Sequence, residues 1–155
     1  MDISKVLNVN HIKLNMVAKT KKEALEELTD ILVQDGIVIN KDKFLRDIWL
    51  REELGPTGFE NHIAIPHGQS SAVRHSTLAI GRTPHKIPWE TIDGIDIRCI
   101  ILYAIRSEEK NTTHIRLLTQ VSYALANEDI IAKLLEENDP KNIIEMFDAQ
   151  DDVDF

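Results

Sequence analysis

Seven consecutive apolar residues, Cys99-Ile-Ile-Leu-Tyr-Ala-Ile105, form the longest apolar run in the chain. The run is far short of the ~20 residues that a membrane-spanning helix needs. It belongs instead to a strand candidate, Asp96 to Ile105, and the lone Cys99 within it reads as a buried, inert thiol. Ile63-Ala-Ile65, closed by Pro66, and Thr77 to Ile80 are further strand candidates, with Asp93-Gly94 as a turn before the apolar run. Ile12-Lys-Leu-Asn-Met16 alternates as a half-buried strand does.

Helical patterns separate these strands. Thr20 precedes Glu23 by three as in a capping box, Leu25, Leu28, Ile31 and Leu32 follow at helical spacing, and Gly36 supplies the stop. Asn40 can cap a second helix with a buried face of Phe44, Leu45, Ile48 and Trp49, which Gly55-Pro-Thr-Gly58 breaks into a loop. His114, Leu117, Leu118, Val121 and Leu125 make an apolar stripe. Asn127 caps the next helix, and Asn138 or Asp139 the last, with Pro140 in its first turn. Strands mixed with helices of this length indicate one α/β layered domain, a size that 155 residues allow.

Charge narrows the partners. A formal net charge of −8 opposes nucleic-acid binding, which rests on Lys and Arg neutralising phosphates, and permits a basic protein partner. The start, Met-Asp-Ile-Ser-Lys, shows no basic segment leading into an apolar core, so no signal peptide is expected and a cytoplasmic location follows. Aspartates 148, 151, 152 and 154 suggest a solvated acidic tail over 149–155, after a domain spanning 1–148.

Six histidines are the obvious chemical resource. His62 and His67 stand five apart in an extended stretch and should point to opposite faces, and no His pair has zinc-site spacing, so no metal is expected. His11, His75 and His85 lie among polar residues and read as surface side chains. His67 follows Ala64-Ile65-Pro66 and precedes Gly68, which can turn the backbone away and leave the ring accessible. Such an imidazole can be held in one tautomer as a nucleophile, or it can be an ordinary histidine in a strand-to-loop turn. His114, in the first turn of its helix behind Thr112 and Thr113, can assist an anion held at the helix N-terminus or be a partly buried histidine. Arg51, near the end of the second helix, either serves the helix dipole or a site.

Together, Arg51-Glu52, Gly55-Pro-Thr-Gly58, Ile63-Ala-Ile-Pro-His-Gly68, Ala79-Ile-Gly-Arg82, Ile87-Pro-Trp89, Asp93-Gly94 and Thr113-His-Ile-Arg-Leu-Leu118 resemble the fructose/mannitol-type IIA proteins of the bacterial sugar phosphotransferase system. The resemblance covers nearly the whole chain and implies a mixed β-sheet flanked by helices, the mannitol-type IIA fold, with the site at the end of the sheet. It assigns His67 as the phosphorylated residue, attacking through Nε2, His114 as the second active-site histidine and Arg51 as the phosphoryl-steadying arginine. Thr57, Gly58 and Gly68 would line the phosphoryl site. No cofactor or metal is implied. The implied donor is the phosphocarrier protein HPr, the acceptor is a cysteine of a IIB domain, and a membrane IIC permease stands beyond it. Pro56 replaces a common Ser and is similar to the galactitol branch, although that branch commonly lacks the second histidine. His62 stands where relatives often carry Gly. A regulator similar to the nitrogen-related IIA proteins is the alternative to a transport carrier, and a detached domain of a sugar-operon activator is a remoter one.

Overall fold

The structure, a computed structural model, describes residues 7–109 and 111–151. Five strands and five α-helices follow the chain: β1 (Ile12–Lys13), α1 (Lys21–Gln34), α2 (Lys41–Leu54), β2 (Ile63–Ala64), β3 (His67–Ser70), β4 (Thr77–Ile87), β5 (Ile97–Arg106), α3 (Thr113–Leu125), α4 (Glu128–Glu136) and α5 (Pro140–Asp151). The sheet is mixed, in the order β1-β4-β5-β2, with β3 also pairing to β5. β4 and β5 are antiparallel, and the other pairs are parallel.

The apolar run becomes the central strand. Cys99, Ile101, Tyr103 and Ile105 pack with α3, α4 and α5, while Ile100, Leu102 and Ala104 pack with α1 and α2. A strand covered on both faces loses polar alternation, which is why these residues are apolar without a break. Burial also pushes the Cys99 thiol up to about 12, consistent with an inert side chain.

The helix caps form where their residues announce them. Thr20 Oγ1 accepts from Glu23 N–H at 3.1 Å, and the Glu23 carboxylate reaches back to Lys19 N–H at 2.9 Å. Asn40 and Asn127 cap α2 and α4, and Asp139 Oδ1 accepts from Lys141 N–H at the start of α5. Gly36, at φ +73°, ends α1 in the left-handed conformation that glycine adopts freely. α5 runs on to Asp151, so the helix passes the expected boundary at 148, and 152–155 of the acidic tail lie outside the described residues.

Several expectations are corrected. β1 covers only Ile12–Lys13 rather than reaching Met16, and β4 extends to Ile87 with a register irregularity after Arg82. Trp49 is 37% exposed, because Phe44 and Ile48 alone form the fully buried ridge of α2. One position along a helix rotates a side chain by about 100°, which leaves Leu45 and Trp49 at the edge of the contact. His11 is not a surface residue: it is 1% exposed, with Nε2 2.7 Å from Asp35 Oδ2 and Nδ1 3.2 Å from Thr77 Oγ1. It ties the entry to β1 onto the end of α1, and its polar sequence neighbours hide that tertiary role.

Candidate functional site

Pro66 builds the site by interrupting a strand. It has no N–H to give the ladder, so β2 stops at Ala64 and pairing with β5 resumes at His67. The Pro66 carbonyl still accepts from Tyr103 N–H at 2.9 Å, which keeps the chain alongside β5. His67 therefore opens a second strand segment rather than a loop, opposite Tyr103.

Side chains alternate along β3. His67 and Gln69 face α3, and Gly68 faces α2, where a Cβ would fall 2.4 Å from Phe44 Cε1 and 3.1 Å from Ile48 Cγ1. Gly68 thus has no turning role. It is extended, and glycine is needed so that α2 can approach the sheet. His67 is correspondingly less open than the sequence suggests, at 6% exposed.

α3 brings the second imidazole. The rings of His67 and His114 stand 4.9 Å apart, edge to face, and Tyr103 packs against both, at 4.6 Å from His67 and 5.8 Å from His114. Gln69 Nε2 donates to His114 Nδ1 at 2.5 Å, so the neutral His114 ring carries its proton on Nε2. That Nε2, His67 Nδ1 and Tyr103 Oη are buried without a hydrogen-bond partner among the described residues. Three unsatisfied polar atoms in one ring cluster are rare in a settled core and mark a place built for something else. Thr112, at the N-cap of α3, makes no side-chain cap bond, so it leaves the first-turn N–H groups uncapped.

Arg51 sits in the last turn of α2, and its Nη1 donates to the Gly55 carbonyl at 2.8 Å. It serves the helix end, and its charge also reaches both histidines. Burial first, then the neighbouring His114, then Arg51, hold His67 down to about 4, with the Ile65 carbonyl opposing them. Burial and then Arg51 hold His114 below its ordinary value. Both imidazoles are consequently neutral near pH 7.

This depression predicts acid sensitivity. Above the ordinary value of 6.5 the His67 ring is neutral in the folded and unfolded chain alike. As pH falls towards about 4, the unfolded chain binds a proton that the folded chain refuses, so stability is lost. A shift of this size corresponds to about 3 kcal/mol. Denaturant unfolding at pH 7 and pH 4 should show an acid loss smaller by that amount in His67→Gln than in the wild type. Equal losses would remove His67 as the source.

Thr57 and Gly58 have structural duties. The Thr57 hydroxyl donates to the Glu52 carboxylate, which also meets Lys21 Nζ at 2.8 Å, and a Cβ on Gly58 would fall 2.0 Å from the Glu90 carbonyl oxygen. His62 lies at the far end of β2, bonded to Asp96. Its φ of +67° removes the extended geometry on which its alternation with His67 was argued. His75 is exposed and His85 half-buried. Among the described residues, no group of three or more His, Cys, Asp or Glu is placed to hold a metal ion. Gln69 and Tyr103 were not singled out from the sequence. The strand spacing of Gln69 to His67 is a signal for the first, whereas Tyr103 is masked by its apolar run.

Fold and site together define a sugar-phosphotransferase IIA domain. Residues 5–150 match the family described as "Phosphoenolpyruvate-dependent sugar phosphotransferase system, EIIA 2", and the chain belongs to that family. Its EIIA components are phosphotransferases that work through a phosphohistidine. The chain is 30% identical over 149 residues to the 2-O-alpha-mannosyl-D-glycerate-specific EIIABC component of Escherichia coli, covering 96% of this chain and 23% of that protein. It thus spans about a quarter of that relative's length. The nitrogen regulatory protein IIA-Ntr of Neisseria meningitidis superposes with a TM-score of 0.84 at 24% identity, over 94% of this chain and 98% of that one. A chain in the complex of enzyme IIAMtl with phosphorylated enzyme IIBMtl from E. coli superposes with a TM-score of 0.77 at 25% identity, over 92% and 97%. These neighbours share the mixed sheet flanked by helices. No helix among the described residues is long and apolar enough to cross a membrane.

Proposed function

We propose that this chain carries phosphoryl groups towards sugar uptake, with His67 receiving the group from phospho-HPr and passing it to the cysteine of a IIB domain. The observation that carries this reading is the pair of neutral imidazoles 4.9 Å apart under the charge of Arg51, with His114 offering a buried, unpartnered Nε2–H. His67 Nε2 attacks phosphorus, the P–N bond to HPr breaks, and the HPr imidazole leaves with its electron pair. His67 Nδ1 retains the proton. In the second step the IIB thiolate attacks, the His67 P–N bond breaks and the neutral imidazole is restored.

Phosphoryl transfer asks chiefly for positioning and for charge stabilisation of the group in flight. Arg51 supplies a guanidinium suited to its oxygens, and the His114 Nε2–H and the first-turn N–H groups of α3 supply further donors. Thr57 and Gly58 brace the loop that follows Arg51, and Gly68 lets α2, which carries Arg51, close onto β3. The IIB partner and a IIC permease beyond it agree with the IIA–IIB complex of the neighbour and with the EIIABC name of the relative. The sugar falls in the fructose, mannitol or galactitol class.

Incubation with phosphoenolpyruvate, enzyme I and HPr should add one acid-labile phosphoryl to the intact mass, and a IIB domain should then remove it. No gain would overturn the carrier role. A gain that no IIB discharges would favour the regulatory reading, which the likeness to IIA-Ntr supports at the level of fold. His114→Ala should still accept phosphoryl but pass it on about a hundredfold more slowly, the scale of removing one stabilising donor, as single-turnover transfer would read.

A further inference from the structure

A second charged cavity lies at the opposite end of the sheet from His67. Arg98 precedes Tyr103, the partner of His67, by five residues on β5, about 17 Å at the usual rise per residue. The cavity there measures about 380 Å³, and Leu14, Asn15, Arg82, Thr83, Arg98 and Leu135 line it.

A bulge brings the two arginines together. The N–H groups of Arg98 and Cys99 both donate to the His62 carbonyl, at 2.9 and 3.0 Å, so two residues of β5 oppose one. Ile97 accordingly packs with α1 and α2 and Cys99 with the other helices, while Arg98 joins Arg82 at the cavity. Arg82 is 9% exposed and donates to the Leu134 carbonyl at 3.1 Å and to Asn138 Oδ1 at 2.8 Å, both neutral acceptors. Arg98 Nε is buried with no hydrogen-bond partner among the described residues.

Among the described residues, no carboxylate offsets this charge. Neither arginine forms an ion pair among the described residues, and no acidic side chain lines the cavity. Four other cavities of the molecule each include a carboxylate, as expected for a chain with 26 acidic residues. Two half-dehydrated guanidiniums without a counter-charge are unfavourable alone and suit a tetrahedral oxyanion. The space exceeds a bare phosphate, and Leu14 and Leu135 give it apolar walls.

We propose that this cavity binds a small phosphorylated metabolite, with Arg98 gripping the phosphate, Arg82 adding its remaining N–H groups and the leucines covering the organic part. The site is independent of His67 and of the carrier role. The test titrates the Arg51→Ala protein, whose His67 end has lost its guanidinium, with glucose 6-phosphate and with inorganic phosphate. Arginine Nε–Hε resonances and calorimetry are the two readouts. The Arg98 resonance should move saturably with glucose 6-phosphate and less with inorganic phosphate. Adding Arg98→Gln should weaken calorimetric binding about tenfold or more, as loss of a charged fork does. An unchanged melting temperature would show that the double variant is folded. A static Arg98 resonance, equal binding with Arg98→Gln, or binding of inorganic phosphate alone would each overturn the proposal.

Discussion

The His67→Ala protein is expected to take up no phosphoryl group from phospho-HPr while remaining folded. Removing a nucleophile lowers such a rate on the order of a million-fold, since the remaining donors can position a phosphoryl group but not bond it. The local geometry explains why folding should survive. The His67 ring is buried with no well-formed hydrogen bond at Nδ1, so its loss gives up little polar contact. The cavity left between Tyr103 and His114 should lower stability by only a few kcal/mol. Intact-mass analysis after incubation with enzyme I and HPr reads the first expectation, and thermal unfolding reads the second. Acid-labile phosphate on a folded His67→Ala chain would place the nucleophile elsewhere, with His114 the first residue to replace in turn.

Gly68→Ala should be among the most damaging single-methyl changes available to this chain. Its Cβ would lie 2.4 and 2.6 Å from two ring carbons of Phe44, which is fully buried and has no room to withdraw. Overpacking of this severity typically destabilises by about 3 kcal/mol, well above the few tenths gained from a stiffer unfolded chain. For a chain of this length that corresponds to roughly 6–12 °C in Tm. The strain falls on α2, which carries Arg51 on its last turn, so phosphoryl acceptance should fall along with stability. Phe44→Leu in the same chain should restore part of both by opening space under the new methyl. An unshifted Tm in Gly68→Ala would mean that α2 does not pack on β3 as closely as it does here.

Much of the layered α/β fold is legible in the residues because its signals are local. Thr20, Asn40 and Asn127 cap helices with their own side chains, and the run from Cys99 to Ile105 marks the central strand without reference to any partner. β3 is not legible in this way. His-Gly-Gln-Ser carries no apolar alternation, and these residues become a strand only because β5 offers hydrogen bonds beside them. Trp49 and Leu45 looked buried by helical spacing, yet how wide a face a helix buries depends on what it meets. Here α2 meets the narrow groove over Gly68.

His67, His114 and Arg51 could be picked out as chemical candidates, since each has a distinctive neighbour in the sequence: Pro66, a helix start and a helix end. Caps, periodicity and proline act within a few residues, so the set of elements and the residues able to do chemistry can be read along the chain. Which of those residues meet depends on packing between distant segments. The alternation of β3 turned His67 and Gln69 to α3 and Gly68 to α2, and the docking of the entry to β1 between the end of α1 and the start of β4 buried His11 against Asp35 and Thr77. The same packing held His67 neutral, because the burial and nearby charge that lower its proton affinity come from residues far apart along the chain.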